Sequence, residues 1–256
     1  MDDGNPIVAT YSELAEDYDN PANAASCWGH LTSGAAESIE IADRHRRVAD
    51  LGCGTGWAIA SLAEKHRDKE FIGIDPAVQM CATAVKRTEH LPNVEILEGS
   101  FEGIPLETDS VDYIYSTLAF HWCTDVDEAV AELRRVLKPG GEMDLLFIGR
   151  DNGREFIKVT TPLFLTYMGP KLLLESARLR KQLERKVAED LFRGAFPDSS
   201  VEVSERYETH YDDLEGHWSW WVRIEGHFIQ IPPEKKAECD AKVKQAIASL
   251  EYAGWR

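Results

Sequence analysis

No two cysteines of this sequence are spaced C-x-x-C. Cys27, Cys53, Cys81, Cys123 and Cys239 lie far apart, which argues against a thiolate zinc site or a disulfide framework and points to a reduced, cytoplasmic setting. No apolar run approaches the ~20 residues that a membrane-spanning helix needs. The opening Met1-Asp2-Asp3-Gly4 is acidic and polar, unlike a secretion signal. Positive charge is scarce: 28 Lys and Arg stand against 45 Asp and Glu, a net −17 with a pI near 4.9. A nucleic-acid binder needs a basic face to replace phosphate counterions, so no nucleic-acid partner is expected. His217 and His227 lack matching carboxylates or thiols, and no metal is expected either.

What is present is a regular alternation. Residues 8–20 read as a short helix with Tyr11, Ala15 and Tyr18 along one face. Strands are expected at 47–51, 70–75, 93–98, 111–116 and 141–148, with helices at 57–65, 77–89 and 127–137 between them. Strand and helix repeated at this interval build a doubly wound, mostly parallel α/β sheet of Rossmann-like form. After Arg150 the alternation stops. Residues 171–192 read as one long helix with the stripe Leu172, Leu179, Leu183, Val187 and Leu191, 200–211 as a strand, and 233–250 as a helix opened by Pro233. The segment Lys171 to Arg193 carries seven basic and four acidic residues, a local +3 in an acidic chain. It reads either as a solvated face or as a lid over the acceptor site that docks an acidic partner.

The turn Asp50-Leu51-Gly52-Cys53-Gly54-Thr55-Gly56 follows a strand and opens a helix. Positions without side chains let a ligand touch the backbone, and the helix start offers unpaired N–H groups. A dinucleotide fingerprint G-x-G-x-x-G would need glycine at 57, where Trp57 stands. Asp50 would also repel a pyrophosphate and suits an ammonium group.

This turn closely resembles the first motif of class I methyltransferases, whose ligand is S-adenosylmethionine. The resemblance implies that Asp50, Gly52, Cys53, Gly54 and Gly56 surround the methionyl end of that cofactor. Asp75, nineteen residues past Gly56, would accept from the ribose hydroxyls, with Pro76 and Met80 near the adenosine. Ser100 stands where the family usually has an Asp for the adenine amino group, so Phe101 is expected to stack on the ring instead. Ser116-Thr117-Leu118-Ala119-Phe120-His121-Trp122, with Ser116 and His121 beside the cofactor, and Tyr11-x-x-x-Ala15-x-x-Tyr18-Asp19 are similar to a subgroup that includes the malonyl-carrier-protein methyltransferases. The resemblance covers roughly residues 9–150.

His121 and Tyr18 are the candidate catalytic groups, His121 as a base or as a wall of the pocket. Tyr11, Tyr18, Trp122, Trp218 and Trp221 are candidates for lining an acceptor cavity, since the tryptophans at 218, 220 and 221 cannot all face one core. The resulting expectation is a helical cap over 1–40, a cofactor-binding core over 41–150, a helical lid over 151–199, and a strand with helices completing the domain over 200–256. The family's fold closes with a hairpin, and the residues after Leu250 are too few for its last strand. An open sheet edge is therefore expected, and a monomer or a homodimer formed through it. The expected activity is methylation of a small acceptor, most simply a carboxylate oxygen, free or on an acidic carrier protein, with quinones or phenols as the alternative. A nicotinamide-dependent oxidoreductase and a non-catalytic cofactor-binding protein are the rivals of other classes.

Overall fold

Val48-Ala49-Asp50-Leu51 shows no polar–apolar alternation and is buried throughout, the signature of a parallel strand covered on both faces. It forms the centre of the sheet in the computed structural model, which describes residues 5–20, 27–209 and 213–251. Residues 1–4, Tyr211 and residues 252–256, all of which bear on the expectations from sequence, lie outside the described residues. The strands are β1 (Arg47–Leu51), β2 (Glu70–Asp75), β3 (Val94–Glu98), β4 (Val111–Thr117) and β5 (Leu137–Leu146). All pairings are parallel, in the order β3-β2-β1-β4-β5. The order reverses between β1 and β4, and ligands of open α/β sheets bind beyond the carboxyl ends of the strands at such a switch.

The helices of this part are α1 (Pro6–Tyr18), α2 (Cys27–Ser38), α3 (Trp57–Lys65), α4 (Val78–Thr88) and α5 (Val126–Val136). Local chemistry sets their starts. The Asn5 side chain accepts from the Ile7 amide at 2.9 Å ahead of Pro6, and Asp125 accepts from Asp127 and Glu128 at 3.0 Å. Two cores cover the sheet. On one face Ile59, Leu62 and Ala63 of α3 meet Val48, Phe71, Tyr113 and Tyr115. On the other, Ala129, Val130, Leu133 and Val136 of α5 meet Leu51, Ile72 and Ile114.

Contacts divide the chain into one unit of residues 1–150 with 181–205 and a second of 151–180 with 206–256. The expected cap and core thus share a unit, and the boundary expected at 199 is replaced by crossings at 180 and 205. The single helix expected over 171–192 is not formed: α6 (Arg154–Arg178) takes only its first part, and α7 (Arg185–Ala195) begins after a break. The break has a cause in the backbone. The Lys181 amide donates to the His121 carbonyl at 2.7 Å and the Leu183 carbonyl accepts from the Arg150 amide at 3.2 Å, so both groups are withdrawn from a helical ladder. Leu183 and Leu191 pack on the α5 side of the sheet, whereas Leu172 is exposed. The basic residues are also paired locally, Arg193 with Glu189 and Lys186 with Asp190 on α7, and Arg180 with Glu225. One continuous basic lid is therefore corrected to two separate helices. The strand expected at 200–211 is likewise absent over its described part: residues 201–209 make no ladder, and Tyr207 is exposed.

The second unit is built from α6, α8 (Leu214–Trp220), a π-helical turn at Trp221–Glu225 and α9 (Pro233–Glu251). Gly169 breaks α6 with φ 75°, immediately before Pro170. Phe164 and Met168 pack with Trp221, Cys239, Val243 and Ile247. Among the described residues no helix is long and apolar enough to cross a membrane. Trp221, expected to line a cavity, is a core residue here: it is 0% exposed, its Nε1–H donates to Asp240 at 3.0 Å, and its ring stacks on Phe164. Trp221→Ala should destabilise this unit by about 3–5 kcal/mol, read as an early transition in thermal unfolding. A variant that kept its transition and lost only ligand binding would restore the cavity reading.

Candidate active site

The carboxyl ends of β1, β2 and β4 carry the groups that chemistry can use. Asp50 is 1% exposed, and neither of its carboxylate oxygens has a hydrogen bond of ordinary geometry. Burial pushes its pKa up to about 7, with Asp75 adding to the rise and the nearby Tyr115 hydroxyl partly opposing it. Tyr115 stands opposite Asp50 in the β1–β4 register, and its own hydroxyl is buried and unpaired. The Ser116 hydroxyl, one residue further along β4, is buried and unpaired as well.

The turn after β1 is held to β2 by two amides, Gly52 and Cys53, that share the Ile74 carbonyl at 2.8 and 3.1 Å. Gly52 has φ +74°, and a Cβ there would fall 2.2 Å from the Ala119 methyl, so no other residue fits. Gly54 differs, because nothing lies within 4 Å of where its Cβ would be. Its bare backbone borders open space, and its amide donates to Asp75 Oδ2 at 2.9 Å. Asp75 Oδ1 accepts from the Ala77 amide at 2.9 Å. Burial raises Asp75 to about 6 despite these two donors. Each of its oxygens keeps a lone pair for a further donor.

Over these ends lies an aromatic group. Tyr11 meets Tyr18 edge to face at 5.9 Å and Trp122 at 6.0 Å, and the His121 ring is 5.0 Å from Trp122. Burial, then the charges of Asp75 and Asp19, raise Tyr18 to about 12, so its phenol stays protonated and can donate near neutral pH. His121 is buried in a short turn, Phe120–Trp122, and its Nδ1 faces the Ile148 amide at 3.5 Å. The Cys53 and Cys81 thiols are pushed well up by burial, Cys81 to about 12, so neither supplies a thiolate.

The structure thus brings together Asp50, the Gly52–Gly56 turn, Asp75, Pro76, Met80, Ser116, His121, Tyr11, Tyr18 and Trp122. Met80 packs with Ala15 and Ala77 beneath α1. Ser100 lies just past β3, in a bridge to Gly103. Phe101, expected to stack on the ring, is 8% exposed, edge-on to Phe120 at 5.3 Å and close to Gly52. Trp218 and Trp221 belong to the second unit, where Trp218 packs on that unit's core beneath the Lys244 ammonium. Sequence reasoning missed Tyr115, Thr55 and Arg87. The signal for Tyr115 was weak, since its place opposite Asp50 emerges only once β1 is known to pair with β4.

Residues 49–144 match a family model described as a methyltransferase domain. Among curated proteins, the chain is 29% identical over 175 residues to a malonyl-[acyl-carrier protein] O-methyltransferase of Methylovorus sp., covering 66% of this chain and 56% of that protein. It is 36% identical over 141 residues to one of Yersinia pestis, covering 54% and 49%. The chain spans about half the length of these curated relatives. Among solved structures, an S-adenosylmethionine-dependent methyltransferase from Thermotoga maritima superposes with a TM-score of 0.54 at 22% identity, over 74% of this chain and 80% of that one. At that identity it shows the shared fold.

The buried acids set a pH dependence. Folded Asp50 and Asp75 hold protons that the unfolded chain has released, so their contribution to stability is complete below about pH 4 and is lost as pH rises through about 6 to 7. Asp50→Asn should therefore stabilise the ligand-free protein near pH 8 by about 1–3 kcal/mol, and flatten its decline in melting temperature with pH. An unchanged profile in the variant would mean that Asp50 is not the group titrating.

Proposed function

Residues 49–144 form a class I methyltransferase domain, and from that premise we propose that the chain transfers a methyl group from S-adenosylmethionine to a carboxylate oxygen of a small acid, free or carrier-bound. The residues at the strand ends fit that cofactor. The buried, unpaired carboxyl of Asp50 suits a cationic amine, and a cation beside it would draw it into its ionised form. Asp75 has remaining acceptor capacity for two ribose hydroxyls, and bare Gly54 admits a ligand against the backbone. When bound, the cofactor supplies a methyl group on a sulfonium whose departure leaves a neutral thioether.

The chain's own tasks are then to bind, orient and exclude water. A carboxylate acceptor arrives ionised and needs no base. The observation that carries this reading is Tyr18, whose phenol stays protonated beside Asp75 and so can donate to a carboxylate but does not take a proton from an alcohol or phenol; the His121 ring stands beside Trp122 in the same group. Tyr11 and Trp122 wall the same space and would keep water from it. The names of the curated relatives support the carrier-bound form of the acceptor.

Two measurements test the reading. Asp75→Ala should weaken S-adenosylhomocysteine binding about ten- to a hundredfold, measured by calorimetry; unchanged affinity would remove Asp75 from the ribose site. In a mass-spectrometric screen of malonyl thioesters, free dicarboxylates, phenols and quinones, methyl esters are the expected products. Methylation confined to phenols would overturn the carboxylate assignment and leave the cofactor assignment intact.

A further inference from the structure

Asp50 and Asp75 are largely covered by protein atoms, at 1% and 8% exposed, so the elements beside them govern a ligand's approach. On the Asp75 side that element is α1. Tyr18 lies near enough to Asp75 to feel its charge, and Ala15 packs against Ala77 and Met80, which come just after Asp75 in sequence. Val8, Tyr11 and Tyr18 pack around these buried residues, so apolar contacts seat the body of α1.

A polar tie stands at the end of the same helix. Asp19, the C-cap of α1, accepts from the Thr55 hydroxyl at 2.8 Å through Oδ1, and its Oδ2 pairs with the Arg87 guanidinium. Arg87 in turn donates through Nε to the Thr55 carbonyl at 2.9 Å. Thr55 lies between Gly54 and Gly56 and is 4% exposed. Three residues, from the end of α1, the glycine turn and α4, therefore close one ring of hydrogen bonds. A lone surface ion pair contributes little. Here the charges are only about one-third exposed, at 35% and 31%, and a buried hydroxyl is shared.

We propose that Asp19, Thr55 and Arg87 form a latch that holds α1 closed over the glycine turn, so that its opening admits and releases the ligand and Asp19 and Arg87 act as positioning residues for ligand binding. The ligand side of this proposal rests on the cofactor reading given under Proposed function; the latch itself rests on protein geometry. The latch sits beside Tyr18 and the turn rather than on the carboxylates that meet the ligand. Breaking it changes how long the ligand stays more than what holds it. Lids of this kind commonly set product release.

The test compares Asp19→Asn, Arg87→Met, their double variant, and Arg87→Lys, which keeps the charge but not the fork. In ligand-free protein, hydrogen exchange of the α1 amides should rise in the first three while β1 and β4 amides stay protected. Stopped-flow dissociation of S-adenosylhomocysteine should accelerate about tenfold, with the double variant no worse than either single one and Arg87→Lys intermediate. Cofactor KM should rise with it, and kcat should move far less. Exchange that rises equally in α1 and in the sheet, or additive effects in the double variant, would reduce the ring to general stabilisation and overturn the latch. Absence of S-adenosylhomocysteine binding in the wild type would overturn the cofactor reading, and the exchange comparison would still decide the latch.

Discussion

Asp50 sits where β1 ends, at the point where the strand order turns from β2 to β4, and its carboxyl group has left water with only the nearby Tyr115 hydroxyl to offset the loss. An ionised carboxylate in that state is costly, and a fold tolerates it only by letting it take a proton or by meeting a cation. The surrounding residues obey that constraint. The turn beyond Asp50 must pass close under Ala119, which Gly52 permits, and must leave backbone bare to a ligand, which Gly54 provides. Asp75 on the neighbouring strand is the contrasting case. Two amides satisfy it in part, and it is raised less, to about 6 against about 7 for Asp50. Adjacent strands thus end in one acid that is held and one that waits for a positive partner.

The loop after β4 carries His121 and Trp122, and its position depends on residues far along the chain. Phe120 packs against Phe101, Phe147 and Phe192, which anchors the turn from below. The His121 carbonyl is taken by the Lys181 amide, and Nδ1 faces the Ile148 amide. Both partners come from outside the β4 loop, so the position of this ring is set by residues beyond β5. The same Lys181 bond ends the helical path that Leu179 and Leu183 would otherwise continue, so helix break and histidine placement share one cause.

What could be read in the sequence divides along that line. Strands 47–51 and 70–75 and the helix at 57–65 form within the expected limits, because each is a run whose burial or periodicity is local. The glycine turn, Asp50 and Asp75 were legible because ligand chemistry demands those residue types at that spacing. The long helix over 171–192 failed because only part of its apolar stripe reaches the sheet and its middle is claimed by tertiary hydrogen bonds, neither of which periodicity reports. Trp221 was misplaced for a similar reason: three tryptophans in four positions show that not all are core, and only packing decides which one is.

The proposed reaction sets an acidic protein against an anionic acceptor, and local geometry resolves the conflict. Net charge acts at a distance and is screened within ~8 Å at physiological salt, so the −17 of the chain governs approach far more than contact. At contact, the Tyr18 phenol is held protonated by burial and by Asp75 and can donate. Of the two carboxylates that could repel an acceptor, Asp50 is the one raised further, to about 7, so part of its charge is suppressed near neutral pH until a cation stands beside it. A cationic donor neutralises Asp50 as it ionises it, and the acceptor then meets a site whose local charge is balanced.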